Sequence, residues 1–405
     1  MKKGWQTKTL GEVCSFLNRG VSPKYVEKGG IVVLNQRCIR DHRVNFEISR
    51  RHDIKAKGVS AERLVQSGDV LVNSTGEGTL GRVAQLREDP PEPTTVDSHV
   101  TIVRPAPGVF FTEFFGYVLR DIEEDLKTSG EGCGGQTELN RSVLAEKFAV
   151  RFPQSLAEQQ RIVGLLDEAF EGLATAKANA EKNLQNARAL FESHLQSVFT
   201  HRGPGWEEKR LEEVCGLQNG FAFKSSTFKP SGAPILRISN IQDGRIDAGN
   251  RLVFFNPKDY RENLDRYRIV EDDLLIAMSG ATTGKLGFNT ESTVYYLNQR
   301  VGKFEPSEKL NKRFLYHFLS TKVEENLRIS AGAAQPNLST EQIKGFVLPL
   351  PSVDEQEHIV EALETLSEET QRLAGLYERK LAALEALKKS LLHQAFTGEL
   401  LGDTR

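Results

Sequence analysis

The chain has 405 residues, 39% of them apolar and 27% charged, with 53 Lys and Arg against 55 Asp and Glu. That is ample chain for two cores, its composition is that of a soluble globular protein, and no apolar run approaches the ~18 residues that span a bilayer. Four cysteines and eight histidines without metal-type spacing argue against zinc, and Met-Lys-Lys-Gly-Trp-Gln leads into no apolar signal region, so cytoplasmic residence is expected.

The first element opens at Trp5, in Trp-Gln-Thr-Lys-Thr-Leu-Gly-Glu-Val-Cys. Short β-branched runs follow at 31–34, 69–72 and 100–103, which predict strands. Between the first two lies a basic stretch carrying Arg37, Arg40, His42, Arg43, Arg50 and Arg51. The pattern predicts a helix over 111–125, then a glycine-rich loop with Gln136 shortly before Asn140. Behind Pro153, Ser155-Leu-Ala-Glu158 predicts a capping box, in which Ser and Glu satisfy each other's amides, opening a helix of about 45 residues. Gly203-Pro204 stops it.

The chain then begins again. Trp206 starts Trp-Glu-Glu-Lys-Arg-Leu-Glu-Glu-Val-Cys, Gly280 answers Gly76, Ser352-Val-Asp-Glu355 answers Ser155 to Glu158, and Phe396-Thr397 answers Phe199-Thr200. A period near 200 residues is far longer than a solenoid repeat, so each unit is a whole domain. Strands are predicted at 234–238, 273–276 and 294–297, a helix at 311–328, and a second long helix from Ser352 to near Gly398. Arg237, Asn240, Arg245 and Arg251 lie where the first basic stretch lay, and Gln335 and Asn337 occupy the second loop. This is an α+β domain made twice: 1–154, long helix 155–202, 203–351, long helix 352–405.

The long helices carry heptads. The first runs Leu166, Leu173, Ala180, Ala187, interleaved with Ala169, Ala176, Asn183 and Leu190, with Ile162 before them. The second runs Leu363, Thr370, Tyr377, Leu384, Leu391, interleaved with Leu366, Leu373, Lys380 and Leu387, with Ile359 before them. At 1.5 Å per residue each helix spans roughly 68 Å. Antiparallel pairing is the economical arrangement and would set the two domains at opposite ends of a rod.

The catalytic motifs fail their context. Gly76-Glu-Gly-Thr-Leu-Gly81 fits a dinucleotide pattern, but a strand-like segment follows it where a helix is required. Gly280-Ala-Thr-Thr-Gly-Lys285 has one spacer too few for a phosphate loop and lacks the following Ser or Thr. Asp97-Ser98-His99 has triad residue types that, being adjacent, cannot form a relay. Two well-made domains without catalytic equipment point to binding. Residues 1–155 hold 22 basic and 20 acidic groups and 203–351 hold 20 and 18, while 352–405 holds 6 and 11. Arg suits guanine edges and phosphates, and Asn and Gln suit adenine, so Arg37, Arg40, His42, Arg43, Arg50, Arg51, Gln136 and Asn140, with Arg237, Asn240, Arg245, Arg251, Gln335 and Asn337, are the candidate DNA contacts. A coiled-coil scaffold with protein-binding domains stays open, as does an enzyme resting only on the glycine motifs.

The ordered set resembles the specificity subunit of type I restriction-modification systems. It comprises Trp-x4-Leu-x-Glu-Val at Trp5 and Trp206, the turns ending at Gly76 and Gly280, Pro-x-x-Leu-x-Glu-Gln-x-x-Ile at Pro153 with its counterpart from Pro351 to Ile359, and Gln394-Ala-Phe-Thr-Gly-Glu-Leu. The resemblance implies two target recognition domains reading a bipartite, asymmetric site in double-stranded DNA, with the helices as a ruler. It implies a chain that is not itself an enzyme and binds no cofactor, metal or small-molecule substrate. Two methyltransferase subunits would dock on it, then restriction/translocase subunits, those partners using S-adenosylmethionine, ATP and magnesium. The alternative is the specificity subunit of another bipartite restriction enzyme, or a solitary copy.

Overall fold

The computed structural model describes residues 4–130, 138–242, 244–249, 252–330 and 337–400, with 324–330 in backbone only. Two compact units divide the chain, Met1–Glu181 with Arg379–Arg405 and Lys182–Glu378, so each takes half of each long helix.

In the first unit Trp5–Thr9 pairs antiparallel with Ala149–Pro153, the strand that leads into the long helix. A central sheet runs in the order Cys14–Arg19, Val100–Pro105, Val70–Asn73, Val83–Gln85, and a second sheet in the order Thr94–Val96, Ile31–Leu34, Arg50–His52, Tyr25–Val26. Val70–Asn73, Val83–Gln85 and the first four residues of Val100–Pro105 are buried on both faces. Val70, Val72 and Val103 join Phe114 and Phe115 in one core, while Leu71, Ala84 and Ile102 join Val32, Leu34 and Val96 in another. Successive strand residues point to opposite faces, which is why these strands read as unbroken apolar runs. The second unit repeats the plan with Cys215–Asn219, Val301–Pro306, Leu274–Ala277 and Leu286–Phe288. There Leu274 and Ile276 face Phe314, and Leu275 and Ala277 face Phe255 and Tyr295.

Differences from the sequence reading are local. The helix expected over 111–125 is two, Thr112–Asp121 and Glu123–Thr128, interrupted at Ile122; its counterpart Lys312–Ser330 is continuous. The glycine motifs lead into strands, Val83–Gln85 and Leu286–Phe288, and therefore form hairpin turns.

The long helices are Leu156–Thr200 and Val353–Thr397, 45 residues each. Ser155 Oγ accepts from Glu158 N and Ser352 Oγ from Glu355 N, both at 3.3 Å. The other half of each expected capping box is replaced: Glu158 and Glu355 accept from the indoles of Trp5 and Trp206. The next residue is fully buried in both copies. Gln159 accepts from Phe111 N and donates to Val109 and Pro153 carbonyls; Gln356 does the same with Asn311 N, Lys309 and Pro351.

Within the first unit the helix halves pair antiparallel: Lys177 meets Glu385 at 2.7 Å, Lys388 lies over the Phe170 ring, and Phe396 packs on Phe114. Within the second, Arg188 meets Glu378 at 2.8 Å. Ile162, Leu166, Ala180, Ala187, Leu363 and Thr370 are buried, and Leu173, Ile359, Leu366, Leu373, Leu384 and Leu391 partly so. The interleaved row needs correction. Leu190 and Leu387 are 51% and 47% exposed, and Asn183 and Lys380 are exposed too; Leu184, Phe191, Leu381 and Lys388, one residue later, are partly buried. In a 3.6-residue helix the packed stripe can step four residues as well as three: the expected row holds at Ala169, Ala176, Leu366 and Leu373, all partly buried, and the four-residue step takes over after Ala180 and Tyr377. Among the described residues no helix is long and apolar enough to cross a membrane.

Candidate nucleic-acid interface

At one end of the first domain several loops converge on the turn that follows Val70–Asn73. Ser74 N donates to His99 O at 2.8 Å and Leu139 N to Ser74 O at 2.8 Å. Asn73 Nδ2 donates to Gln36 O at 3.0 Å, which docks the turn carrying Arg37. Thr75 Oγ1 and His99 Nδ1 are 2.7 Å apart, and Arg19 donates to Leu139 O and pairs with Glu138. Gly76 has φ 102°, and a Cβ there would lie 2.4 Å from Thr79 Oγ1. The conformation therefore calls for glycine, and any side chain there would also have to push aside Thr79 and Gln36.

The second domain builds the same frame from other side chains. Met278 N donates to Arg300 O at 3.0 Å and Leu338 N to Met278 O at 2.9 Å, bond for bond as in the first. Thr282 Oγ1 donates to Ile238 O at 3.0 Å, the counterpart of the Gln36 contact. The loops enclose a cleft of about 600 Å³ lined by Asn219, Ser279, Gln299, Arg300, Asn337 and Thr340, among others. By these bonds Asn337 corresponds to Glu138, not to Asn140, which stands before the short helix Arg141–Glu146.

The candidate DNA contacts are not one surface. Arg37 is exposed beside the converging loops. Arg40 and Arg43 flank a hairpin tip whose Asp41 and His42 adopt φ 51° and 59°, and His42 Nε2 lies 2.6 Å from Glu123 Oε2. Arg50 lies over the Tyr25 ring at 3.4 Å. Arg51 is held by both oxygens of Glu92 and by the Gly29 and Gly30 carbonyls. Asn240 must be corrected: it is fully buried, its Oδ1 accepts from Arg237 N at 3.0 Å and its Nδ2 donates to Asp247 O at 3.1 Å. It holds a turn that Cys38, buried and accepting from Asn35 N, holds in the first domain. Arg245 sits on the two-residue strand Gly244–Arg245. Gln136, Arg251 and Gln335 lie outside the described residues. The converging loops also bring in Arg19, Thr75, His99, Asn219, Ser279, Gln299 and Arg300, which the sequence did not single out as candidate contacts. Aligning the turns Asp97-Ser-His-Val and Asn298-Gln-Arg-Val between the repeats would have found His99 and Arg300.

A second concavity in each unit lies against the long helices. In the first it measures about 940 Å³ and includes Asp41, Glu88, Asp89, Asp167, Glu171 and Glu385 beside Arg43, Arg87, Arg120, Lys177 and Lys388. So many carboxylates suit a polyanion poorly. Burial opposes ionisation of Glu123, yet its hydrogen bonds from His42 and Lys127 hold it below the usual carboxylate range. In the second unit the corresponding cleft includes His317, which burial, with Arg313 nearby, lowers to about 4. Among the described residues no His, Cys, Asp or Glu cluster could hold a metal.

A family model described as the type I restriction modification DNA specificity domain matches residues 2–184 and again 204–379. The chain belongs to that family. The chain is similar to the MjaVIII specificity subunit of Methanocaldococcus jannaschii, 28% identical over 60% of this chain and 58% of that protein. It is similar also to the EcoBI specificity subunit of Escherichia coli, 27% identical over 56% of this chain and 44% of that one. The chain thus spans about half the length of these curated relatives. A putative MjaX specificity subunit of M. jannaschii aligns over 98% of this chain and 93% of its own length at 21% identity. The fold is shared with a chain solved in work on assembly and conformational transition of the type I R-M system, TM-score 0.78 over 99% of each chain at 19% identity. It is shared also with the HsdS subunit of Thermoanaerobacter tengcongensis, TM-score 0.66 over 99% of this chain and 98% of that one at 19% identity.

Proposed function

We propose that this chain is the non-catalytic specificity subunit of a type I restriction-modification enzyme. Each specificity domain reads one half of a bipartite, gapped site in double-stranded DNA. Two methyltransferase subunits bound to it methylate adenine with S-adenosylmethionine, and restriction/translocase subunits using ATP and magnesium cleave. The chain itself binds no cofactor and works in the cytoplasm. The observation that carries this reading is the one loop frame built twice on family-matched domains, with different side chains at the loop tips. Two domains of one design with unlike tips suit two unlike half-sites.

The test is exchange of residues 205–350 for the equivalent segment of another family member. One half of the recognised site should change and the other stay. A change in both halves, or DNA binding that ignores salt where phosphate contacts demand a steep negative slope, contradicts the reading.

A further inference from the structure

We propose that Gln299 and Arg300 are base-reading residues of the second domain, with Ser98 and His99 in the same office in the first. The inference rests on the DNA-reading function proposed above and assigns residues within it. Val301 N donates to Asn298 O at 2.9 Å, closing a turn whose two corners are Gln299 and Arg300; Val100 N donates to Asp97 O at 3.3 Å around Ser98 and His99. Both turns join strands of the buried sheets, Tyr295–Leu297 to Val301–Pro306 and Thr94–Val96 to Val100–Pro105, and each is fastened to the neighbouring loop by the bond to Met278 N or Ser74 N. The corners are thus held on rigid backbone, which lowers the entropic cost of recognition.

Gln299 and Arg300 are exposed, and Arg300 makes no ion pair with a described residue. Their neighbours in the cleft include the uncharged donors and acceptors Asn219, Ser279, Asn337, Ser339 and Thr340, the groups that base edges need, with the carboxylate Glu341 also in the lining. Arg pairs bidentately with guanine O6 and N7, and Gln with adenine N6 and N7. The concavities against the helices are the rival surface: the first unit's carries six carboxylates beside five Lys and Arg, and the second unit's carries Glu192 beside Arg188 and Lys285, so the loop frame rather than charge favours the corners. The repeat also shows that one frame accepts both Gln-Arg and Ser-His at its corners, so exchanging them should leave the fold intact.

The experiment selects duplexes from a randomised pool with the full chain in complex with its methyltransferase subunits. It compares the unaltered chain, the double variant Gln299→Ser with Arg300→His, and Arg300→Lys. The double variant should alter one or two positions in one half-site only, with discrimination there falling about 5- to 150-fold. Arg300→Lys keeps the charge but loses the fork, so it should relax one position with the salt dependence unchanged. An unchanged motif in both variants overturns the assignment, as does loss of both halves with unaltered melting. No motif from the unaltered complex would instead overturn the DNA-reading function, and this assignment with it.

Discussion

The indole of Trp206 donates to Glu355 at 2.8 Å, and Trp5 repeats the bond to Glu158 at 3.1 Å. Each bond ties the opening residue of a domain to the first turn of the long helix that closes it. The Trp opening and the Pro-x-x-Leu-x-Glu-Gln motif are thus two halves of one joint, and the Gln completes it by satisfying the backbone beneath.

Replacing Trp206 by Phe keeps an aromatic ring and removes the donor. We expect a loss of about 1 kcal/mol in urea unfolding of the second unit. Gln356→Ala strands one buried amide and two carbonyls and should cost about 2–4 kcal/mol. Equal effects of the two variants would refute the division of labour.

The corrected helix stripe predicts a sharp contrast. Leu387→Lys and Leu190→Lys, on exposed positions, should shift stability by less than about 0.5 kcal/mol. Leu363→Lys, fully buried, should cost more than about 3 kcal/mol. Thermal melting of the three variants measures the difference.

His317 titrates with a definite sign. Its folded value, about 4, lies below the ordinary 6.5, so the unfolded chain binds the proton first as pH falls. Stability of the second unit should therefore decline from about pH 6.5 to 4, by at most about 3 kcal/mol. His317→Gln should flatten that decline in melting curves taken across the range.

Asn240→Ala should lower stability by about 1–2 kcal/mol without altering any base preference, because both ends of that side chain serve the turn. A changed half-site at unaltered stability would return Asn240 to the reading surface.

The repeat, the apolar strands and the capped helices were legible in the sequence because each rests on local spacing. The Trp–Glu joint was not, since its partners lie 153 and 149 positions apart. Charge alone did not show which basic side chains already have partners within the domain. Arg51 is spent on Glu92, His42 on Glu123 and Arg50 on Tyr25, whereas Gln299 and Arg300 gain their place only when the strands bring the loops together. Asn240 drew notice as a polar residue in a basic stretch, and burial gave it a structural task.

The most direct measurement is single-molecule methylation mapping of DNA from cells expressing this chain with a type I methyltransferase subunit that binds it, against cells lacking the chain. The account predicts a gapped, two-part adenine motif that appears only with the chain and whose halves differ. No new motif, despite a complex that forms and stays intact, would contradict it.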